Sequence, residues 1–570
     1  MSTTAMRAGK RLAELLPQRG DWAAARRNPR RDLVAGLTVA VVALPLALAF
    51  GVTSGLGAQA GLVTAVVAGA VAAVFGGSNL QVSGPTGAMT VVLVPVVARF
   101  GATGVLMVGA MAGLVLIALA LARLGRYIRY LPTPVVEGFT AGIAVVIALQ
   151  QVPAALGVAD ATGEKVWAVA GDAAVRFAAH PRPQPLAVAL GVAAVMLLGA
   201  RWRPKLPFSL IAVLAATMLA ELAPLRLTRI GALPAGLPTP SLDFVDLHAV
   251  GMLLPSALAV AALAALESLL SATVADAMSV NDQHDPDREL FGQGLANLAA
   301  PVFGGIPATA AIARTAVNVR AGAGSKLAAL THAVALAVIV LAAAPLVSRI
   351  PLAALAGVLL ATTVRMVEAS SLLAVVRATR RDALVLALTF AVTVAMDLVT
   401  AVAVGLGAAV VLALRAVART ARLQQMSLEP GDHSAAEQAL IAEHIVAYRL
   451  DGPLFFAAAH HFLLELTEVA DVRVVILRMS RVSTVDVTGA QVLGDAITRL
   501  QRRGITVLLS GITPGHEQVL TAVGVAEQLR RDGRVFPDTP SAIAYARDHL
   551  PTNAAEGPET REPAGRSVAG

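Results

Sequence analysis

The sequence predicts a polytopic α-helical membrane protein of fourteen segments, arranged as a seven-plus-seven inverted repeat and followed by a small cytoplasmic α/β domain. Three observations predict it. Apolar runs long enough to cross about 30 Å of hydrocarbon as helix recur between residues 33 and 418. Two conspicuously short runs occupy equivalent places in the two halves. After Arg422 the texture changes to strands alternating with helices. Composition agrees: 56% of the 570 residues are hydrophobic and 14% charged, with a mean hydropathy of +0.72, whereas ordinary soluble domains are about a quarter charged.

The net charge of +8 and the pI near 10.4 do not point to nucleic acid. Most of the excess lies in short segments beside apolar runs, where it sets topology, and no nucleic-acid-binding module is present. The absence of cysteine excludes disulfides and thiolate metal sites.

The N-terminal segment, residues 1–32, is basic (Arg7, Lys10, Arg11, Arg19, Arg26, Arg27, Arg30, Arg31). It lacks the apolar core and cleavage site of a signal peptide and reads as a retained cytoplasmic segment. The membrane domain follows over 33–420. Glycine, proline and charge clusters divide it into 33–55, 58–76, 85–98, 101–123, 134–153, 184–201, 206–222, 250–276, 288–303, 309–320, 325–344, 348–366, 380–397 and 398–418. The third and tenth are too short to cross a bilayer as helix. Loops after even-numbered segments carry the Lys/Arg excess, as in Arg123, Arg126 and Arg129 or Arg377, Arg380 and Arg381. Loops after odd-numbered segments are poorer in cations or balanced by acids, as in 160–182. That parity puts the even side and both termini in the cytoplasm of a plasma-membrane protein. Residues 427–550 form the α/β domain, and 551–570, rich in Ala, Glu, Pro and Gly, form a disordered tail.

The short segments share a local grammar. In "VSGPTGAMTVV" (82–92) and "GGIPATAAIARTAVNV" (304–319), glycine and proline precede a brief helical run. Pro85 and Pro307 are expected near the first helical position, where a missing N–H costs nothing. Helix starts leave free N–H groups and a partial positive charge, which together bind anions. Interrupted segments third of seven and tenth of fourteen are the pattern of an inverted repeat with its substrate site at the midplane. The expected anion contacts are the N–H groups around Thr86, Gly87 and Ala88 and around Thr309, Ala310 and Ala311.

Arg314, more than one turn into the tenth segment as delimited, is an intramembrane charge and so faces a cavity or a partner. It reads as an attractor beside the anion; the competing reading is a structural ion pair or a snorkelling side chain. Its expected partner is Glu267, the only carboxylate between Pro255 and Asp276, with Ser271 four residues on along the same helical face. A carboxylate in an apolar setting can exchange protons near neutral pH, or hold Na⁺ with neighbouring oxygens, or simply neutralise Arg314. Ser268 and Thr273 are expected to face elsewhere as packing residues.

These residues resemble the SulP family of anion permeases. "VSGPTGAMT" is similar to the family's third-helix motif, and "ALESLLSA", "GQGLANLAAPVFGGIPATAAIARTAVNVRAGA" and "VDVTGAQVL" are similar to its later signatures, over roughly residues 30 to 550. The resemblance implies core and gate domains moving in an elevator-like displacement, a homodimer, and a STAS domain at 427–550 that can take a cytoplasmic partner. It places Thr86, Gly87, Thr309, Ala310 and Ala311 at the anion site, Glu267 and Ser271 at the coupling position and Arg314 beside them. The sodium-coupled bicarbonate branch carries aspartate where this chain has Glu267, which favours H⁺ over Na⁺ as coupling ion. In STAS phospho-switches the hydroxyl beside glycine is modified; here Thr488, after Asp486, holds that place, and phosphate at a helix start is electrostatically well placed. The competing reading is a loop that serves folding and docking.

His460 and His461 have no further metal ligands near them in sequence and read as surface residues. No phosphate loop of an ATPase is present, so an ion gradient or exchange is the expected energy source. No cofactor and no catalytic residue are expected. The expected function is secondary transport of sulfate, bicarbonate or a C4-dicarboxylate. A chloride/bicarbonate exchanger, a Na⁺–bicarbonate symporter, a nucleobase permease and a membrane-anchored regulator are the rivals.

Overall fold

A computed structural model of the chain describes residues 13–203, 206–223, 225–232, 236–279, 283–396, 398–420, 422–426, 444–456 and 472–549. His460, His461 and the tail from Pro551 lie outside the described residues. The chain divides into two compact units, Met1–Ala409 and Val410–Gly570.

In the first unit the apolar runs become helices α1 (Pro29–Thr53), α2 (Ala58–Phe75), α3 (Gly87–Leu121), α4 (Thr133–Leu156), α5 (Val166–Ala179), α6 (Pro183–Trp202), α7 (Phe208–Leu222), α8 (Val250–Met278), α9 (Pro286–Val302), α10 (Ile312–Arg320), α11 (Lys326–Val347), α12 (Leu352–Met366), α13 (Ala369–Ala378) and α14 (Arg380–Ala395), and the last becomes α15 (Leu398–Ala418), within which the division between the units falls. Two-residue strands β1 (Ser83–Gly84) and β2 (Thr309–Ala310) interrupt them ahead of α3 and α10. Among the described residues, nine helices are long and apolar enough to cross a membrane. Leu114, Leu198 and Leu341 stand exposed on them, as lipid-facing positions do, because hydrocarbon needs no polar cover.

Helix covers most of each expected segment, but the helices do not divide into the fourteen expected, and three differences stand out. The third and fourth run on as α3, broken only at Gly101, whose φ of 68° and ψ of −168° interrupt the helix. That conformation is open to little but glycine. The stretch 160–182, expected as loop, contains the amphipathic α5, and α13 lies between the twelfth and thirteenth segments. Both extra helices, 14 and 10 residues long, are too short and too interrupted by polar residues (Asp172 and Arg176; Ser370, Ser371 and Arg377) for a reading based on long apolar runs to find.

Packing sorts the helices into two groups. α1, α2, α3, α8, α9, α10 and α11 pack on one another, and so do α4, α6, α7, α12 and α14, with lighter contact between the groups. The first four segments of each half therefore join one group, and the fifth to seventh join the other together with the twelfth and thirteenth, which is the pattern of a repeat. Small residues allow the closest approaches, as in soluble and membrane helix pairs alike: a Cβ on Gly113 of α3 would lie 2.7 Å from Gly294 O of α9.

The second unit carries a five-stranded sheet in the order β3 (Arg422–Met426), β4 (Ile445–Leu454), β5 (Val474–Val485), β6 (Thr506–Ser510), β7 (Val535–Phe536). β3 is antiparallel to β4 and the other pairs are parallel. Helices α16 (Val487–Arg502), α17 (Pro514–Ala522), α18 (Val525–Arg531) and α19 (Thr539–Asp548) complete it. Leu493, Ile497 and Leu500 pack with Leu477 and Leu509 on one side of the sheet, and Ala542 and Ala546 with Ile476 and Leu508 on the other. Burial on both faces explains the unbroken apolar runs in β5 and β6; each large side chain so buried stabilises the fold by about 1.5–3 kcal/mol.

Candidate functional site

The two half-helices meet through their strands. β1 and β2 pair antiparallel, Ser83 opposite Ala310 and Gly84 opposite Thr309, and Ala311 N donates to Val82 O at 3.1 Å. An antiparallel pair has a local two-fold axis, so α3 and α10 leave it in opposite senses. Thr86 is the N-cap of α3, its hydroxyl accepting from Met89 N at 3.4 Å, and Ala311 is the N-cap of α10. The first-turn N–H groups of Gly87 and Ala88, and of Ile312 and Ala313, have no acceptor within their own helices. Gly87 and Ala88 are buried, whereas Ala313 is exposed and Ile312 is 41% exposed.

This differs in detail from the sequence expectation. Pro85 stands before the N-cap and Pro307 before β2, so neither is a first helical residue. Thr309 and Ala310 are strand residues. Ala310 N donates to Ser268 Oγ at 3.3 Å, so the N–H groups of Ala310 and Ala311 are already bound and build the crossing. The free donors lie one residue later, because pairing with β1 delays the helix start to Ile312.

Arg314 thereby falls in the first turn of α10 and is 2% exposed. Its Nη2 donates to Pro85 O at 3.0 Å, bridging to the other strand, while the buried Nη1 has no hydrogen-bond partner. Gly84 makes room for it: φ there is 153°, and a Cβ would lie 2.7 Å from Nη1. Glu267, partly buried on α8, accepts from Thr86 Oγ1 at 2.8 Å. No ion pair within 4.0 Å joins Glu267 to Arg314 among the described residues, although the two charges act on each other through space. The expected pair is therefore a carboxylate and a guanidinium on one crossing, the guanidinium being turned to Pro85 O.

Ser271 is not beside the carboxylate either: its hydroxyl donates to Thr315 Oγ1 at 3.0 Å, which also accepts from Val82 N at 3.1 Å. Ser268, read as a packing residue, belongs to the site's frame, its Oγ lying 3.0 Å from Thr309 Oγ1. Thr273 does bond only its own helix, at Leu269 O. Three residues that sequence reasoning passed over hold the crossing from α9. Glu289 Oε2 accepts from Gly77 N and Ser78 N at 2.9 and 3.2 Å, Gln293 Nε2 donates to Ser83 Oγ at 2.5 Å, and Asn297 exchanges two 2.8 Å bonds with Ala308. The signal that could have found them is a polar residue every fourth position in an otherwise apolar helix.

A cavity of about 1110 Å³ opens between the two helix groups. Its wall includes Thr53 of α1, Val91 of α3 one turn past Gly87, Gln150 of α4 and Thr393 of α14. Arg99, Lys165, Arg182 and Arg226 line it against a single carboxylate, Glu164. In the second unit Thr488 is exposed on the first turn of α16, whose N-cap Asp486 accepts from Gly489 N at 2.7 Å and Phe456 N at 3.1 Å.

The profile of the Sulfate permease family matches residues 30–389, and that of the STAS domain matches 438–542. YvdB of Bacillus subtilis (strain 168) is 35% identical over 507 residues, 88% of this chain and 94% of its own. The bicarbonate transporter BicA of Picosynechococcus sp. (strain ATCC 27264 / PCC 7002 / PR-6) is 33% identical over 538 residues, 90% and 93% of the two chains. The solved transmembrane domain of a cyanobacterium bicarbonate transporter BicA superposes with a TM-score of 0.62 at 34% identity, over 66% of this chain and 98% of that one.

Proposed function

The chain belongs to the sulfate permease family, a membrane-embedded multi-pass family of anion transporters with a STAS domain, and from that premise we propose that it is a secondary active symporter coupling H⁺ to the uptake of sulfate, bicarbonate or a C4-dicarboxylate. The observation that carries the reading is the buried, unpartnered Nη1 of Arg314 beside two helix starts. A buried donor without a partner costs about 1–3 kcal/mol, more when charged. An oxyanion seated against Nη1 and the first-turn N–H groups of α10 satisfies it.

Glu267 takes the coupling role. Protonated, it leaves Arg314 and the helix starts free to attract an anion; ionised, it opposes one at the same crossing. Sodium is the second reading, favoured by the Thr86 hydroxyl and Glu267 carboxylate, which are oxygen ligands of the kind a hard cation takes. The group holding the crossing moves past α4, α6, α7, α12 and α14 as an elevator, a motion supported by the light contact between the groups. With both termini and the STAS domain in the cytoplasm of the plasma membrane, as the loop charges favour, the cavity opens outward. The protein works as a homodimer, with Thr488 as a modification site through which a cytoplasmic partner acts.

The test is flux into proteoliposomes of labelled sulfate, bicarbonate and succinate under an imposed inward H⁺ or Na⁺ gradient. Acceleration of one anion by the H⁺ gradient, lost in Glu267→Gln, is the expected result. Acceleration by Na⁺ alone selects the second reading, and no flux of any of the three, with correctly inserted protein, overturns both.

A further inference from the structure

The two-residue ladder on which the site is built is too short to fix its own register. Strand pairing is specified by long hydrophobic patterns or by tight turns, and β1 and β2, 225 residues apart at the Gly84–Thr309 pair (309 − 84), have neither. Yet register decides the chemistry. A slip of one residue would exchange Ser83 for Gly84 beneath Arg314, and a side chain at Gly84 would meet Nη1 at 2.7 Å.

Helix α9 supplies what the ladder lacks. Glu289, Gln293 and Asn297 stand four residues apart, on one face of the helix. Successive members are about 6 Å apart along its axis at about 1.5 Å per residue, close to the ~4.8 Å between paired strands. One turn of α9 therefore spans the two strands. Gln293 reaches β1 through Ser83 Oγ. Asn297 reaches the approach to β2, accepting from Ala308 N and donating to Ala308 O, and it also donates to Gln293 O. Glu289 accepts from Gln293 Nε2 at 3.0 Å and holds the loop that leads into β1. All three are buried, so these bonds are not shared with bulk water.

We propose that Gln293 and Asn297 are positioning residues that determine anion selectivity: they hold β1 and β2 in the register that seats Arg314 across Gly84, and so set the gap between its guanidinium and the two helix starts. An oxyanion that matches the gap touches both; a smaller or larger one touches one. The inference rests on the transporter reading above and adds to it which residues gauge the substrate.

The experiment uses the full chain in proteoliposomes. Of labelled sulfate, bicarbonate and succinate, the anion moved fastest by the unmodified protein gives KM and kcat, and the other two, unlabelled, give inhibition constants. The variants are Gln293→Met, Ser83→Ala, their combination, and Asn297→Asp, which keeps the acceptor to Ala308 N and loses the donors to Ala308 O and Gln293 O. Loss of one such bond corresponds to roughly a three- to tenfold effect. The expected result is a shift of that size in the ratio of a competitor's inhibition constant to KM in each single variant, with kcat nearly kept. The Gln293→Met/Ser83→Ala combination should shift the ratio no further than Gln293→Met alone, because the one bond that Ser83→Ala removes is already lost with Gln293. Should Gln293→Met fail to accumulate, Ser83→Ala and Asn297→Asp still read the ratio. Equal weakening of all three anions, or additive shifts in the double variant, overturns the gauge while leaving transport intact. No flux of any anion by the unmodified protein overturns the transporter reading, and this inference with it.

Discussion

At the scale of single residues the site is one guanidinium, one carboxylate and one missing side chain. Arg314→Ala should abolish uptake, and Arg314→Lys should restore little, because an ammonium lacks the planar fork that bonds Pro85 O and keeps a second nitrogen for the anion. Flux measured beside a thermal-unfolding control separates loss of the site from loss of the fold. Gly84→Ala is the finer probe. It adds one methyl, which would stand 2.7 Å from Nη1 at a φ of 153°, so we expect KM to rise by tenfold or more beside a drop in unfolding temperature from the backbone strain; an unchanged KM in the folded fraction would remove Arg314 from the binding role. Arg314 and Glu267 were legible in the sequence because charges among apolar residues are rare enough to stand out. Ser268, Gln293 and Asn297 were not. Neutral polar residues barely change the hydropathy of a helix, and their partners are 41, 210 and 11 residues away, a distance that no local pattern encodes.

At the scale of elements, the interruptions that made the third and tenth segments short mark the working parts, and glycine and proline announced them. What the sequence did not announce is that each half-helix is preceded by a strand. Two residues of extended chain carry no periodicity, and the proline that seemed to start a helix precedes β2 instead. The break between the third and fourth segments, delimited in the sequence as 85–98 and 101–123, falls at Gly101, and its consequence can be tested. A Cβ there would meet nothing within 4 Å, so Gly101→Ala acts through backbone strain alone. It should cost about 1–3 kcal/mol of stability, read as a lower unfolding temperature in detergent. KM should stay constant, since the break lies fourteen residues (101 − 87) beyond the helix start at Gly87. A changed KM with unchanged stability would mean that the angle between the halves of α3 is part of the site.

At the scale of the whole transport unit, the fold rearranges charge in a way that a count along the chain hides. The loops after odd-numbered segments look nearly neutral, because Lys165, Arg176 and Arg182 are offset by Asp160, Glu164 and Asp172. Folding separates these groups. Asp172 turns away to Arg176, 2.8 Å from its Nε, while Arg99, Lys165, Arg182 and Arg226 line the cavity with only Glu164 beside them, a net of +3 (four cations less one carboxylate). A cleft of one sign raises the local concentration of opposite charge and speeds encounter, an effect that salt screens over about 10 Å at 0.1 M. Anion uptake below saturation should therefore fall as inert salt rises at constant osmolarity, with kcat unaffected. Arg99→Gln, Arg182→Gln and Arg226→Gln together should lower uptake at low salt and flatten the salt dependence. Lys165 is spared because its Nζ donates to Ala395 O at the end of α14 and its loss would confound packing with charge. If the combined variant keeps the full salt dependence, the field that guides the anion originates deeper, at Arg314. The cavity is then a passage rather than a funnel, and selection rests on the crossing alone.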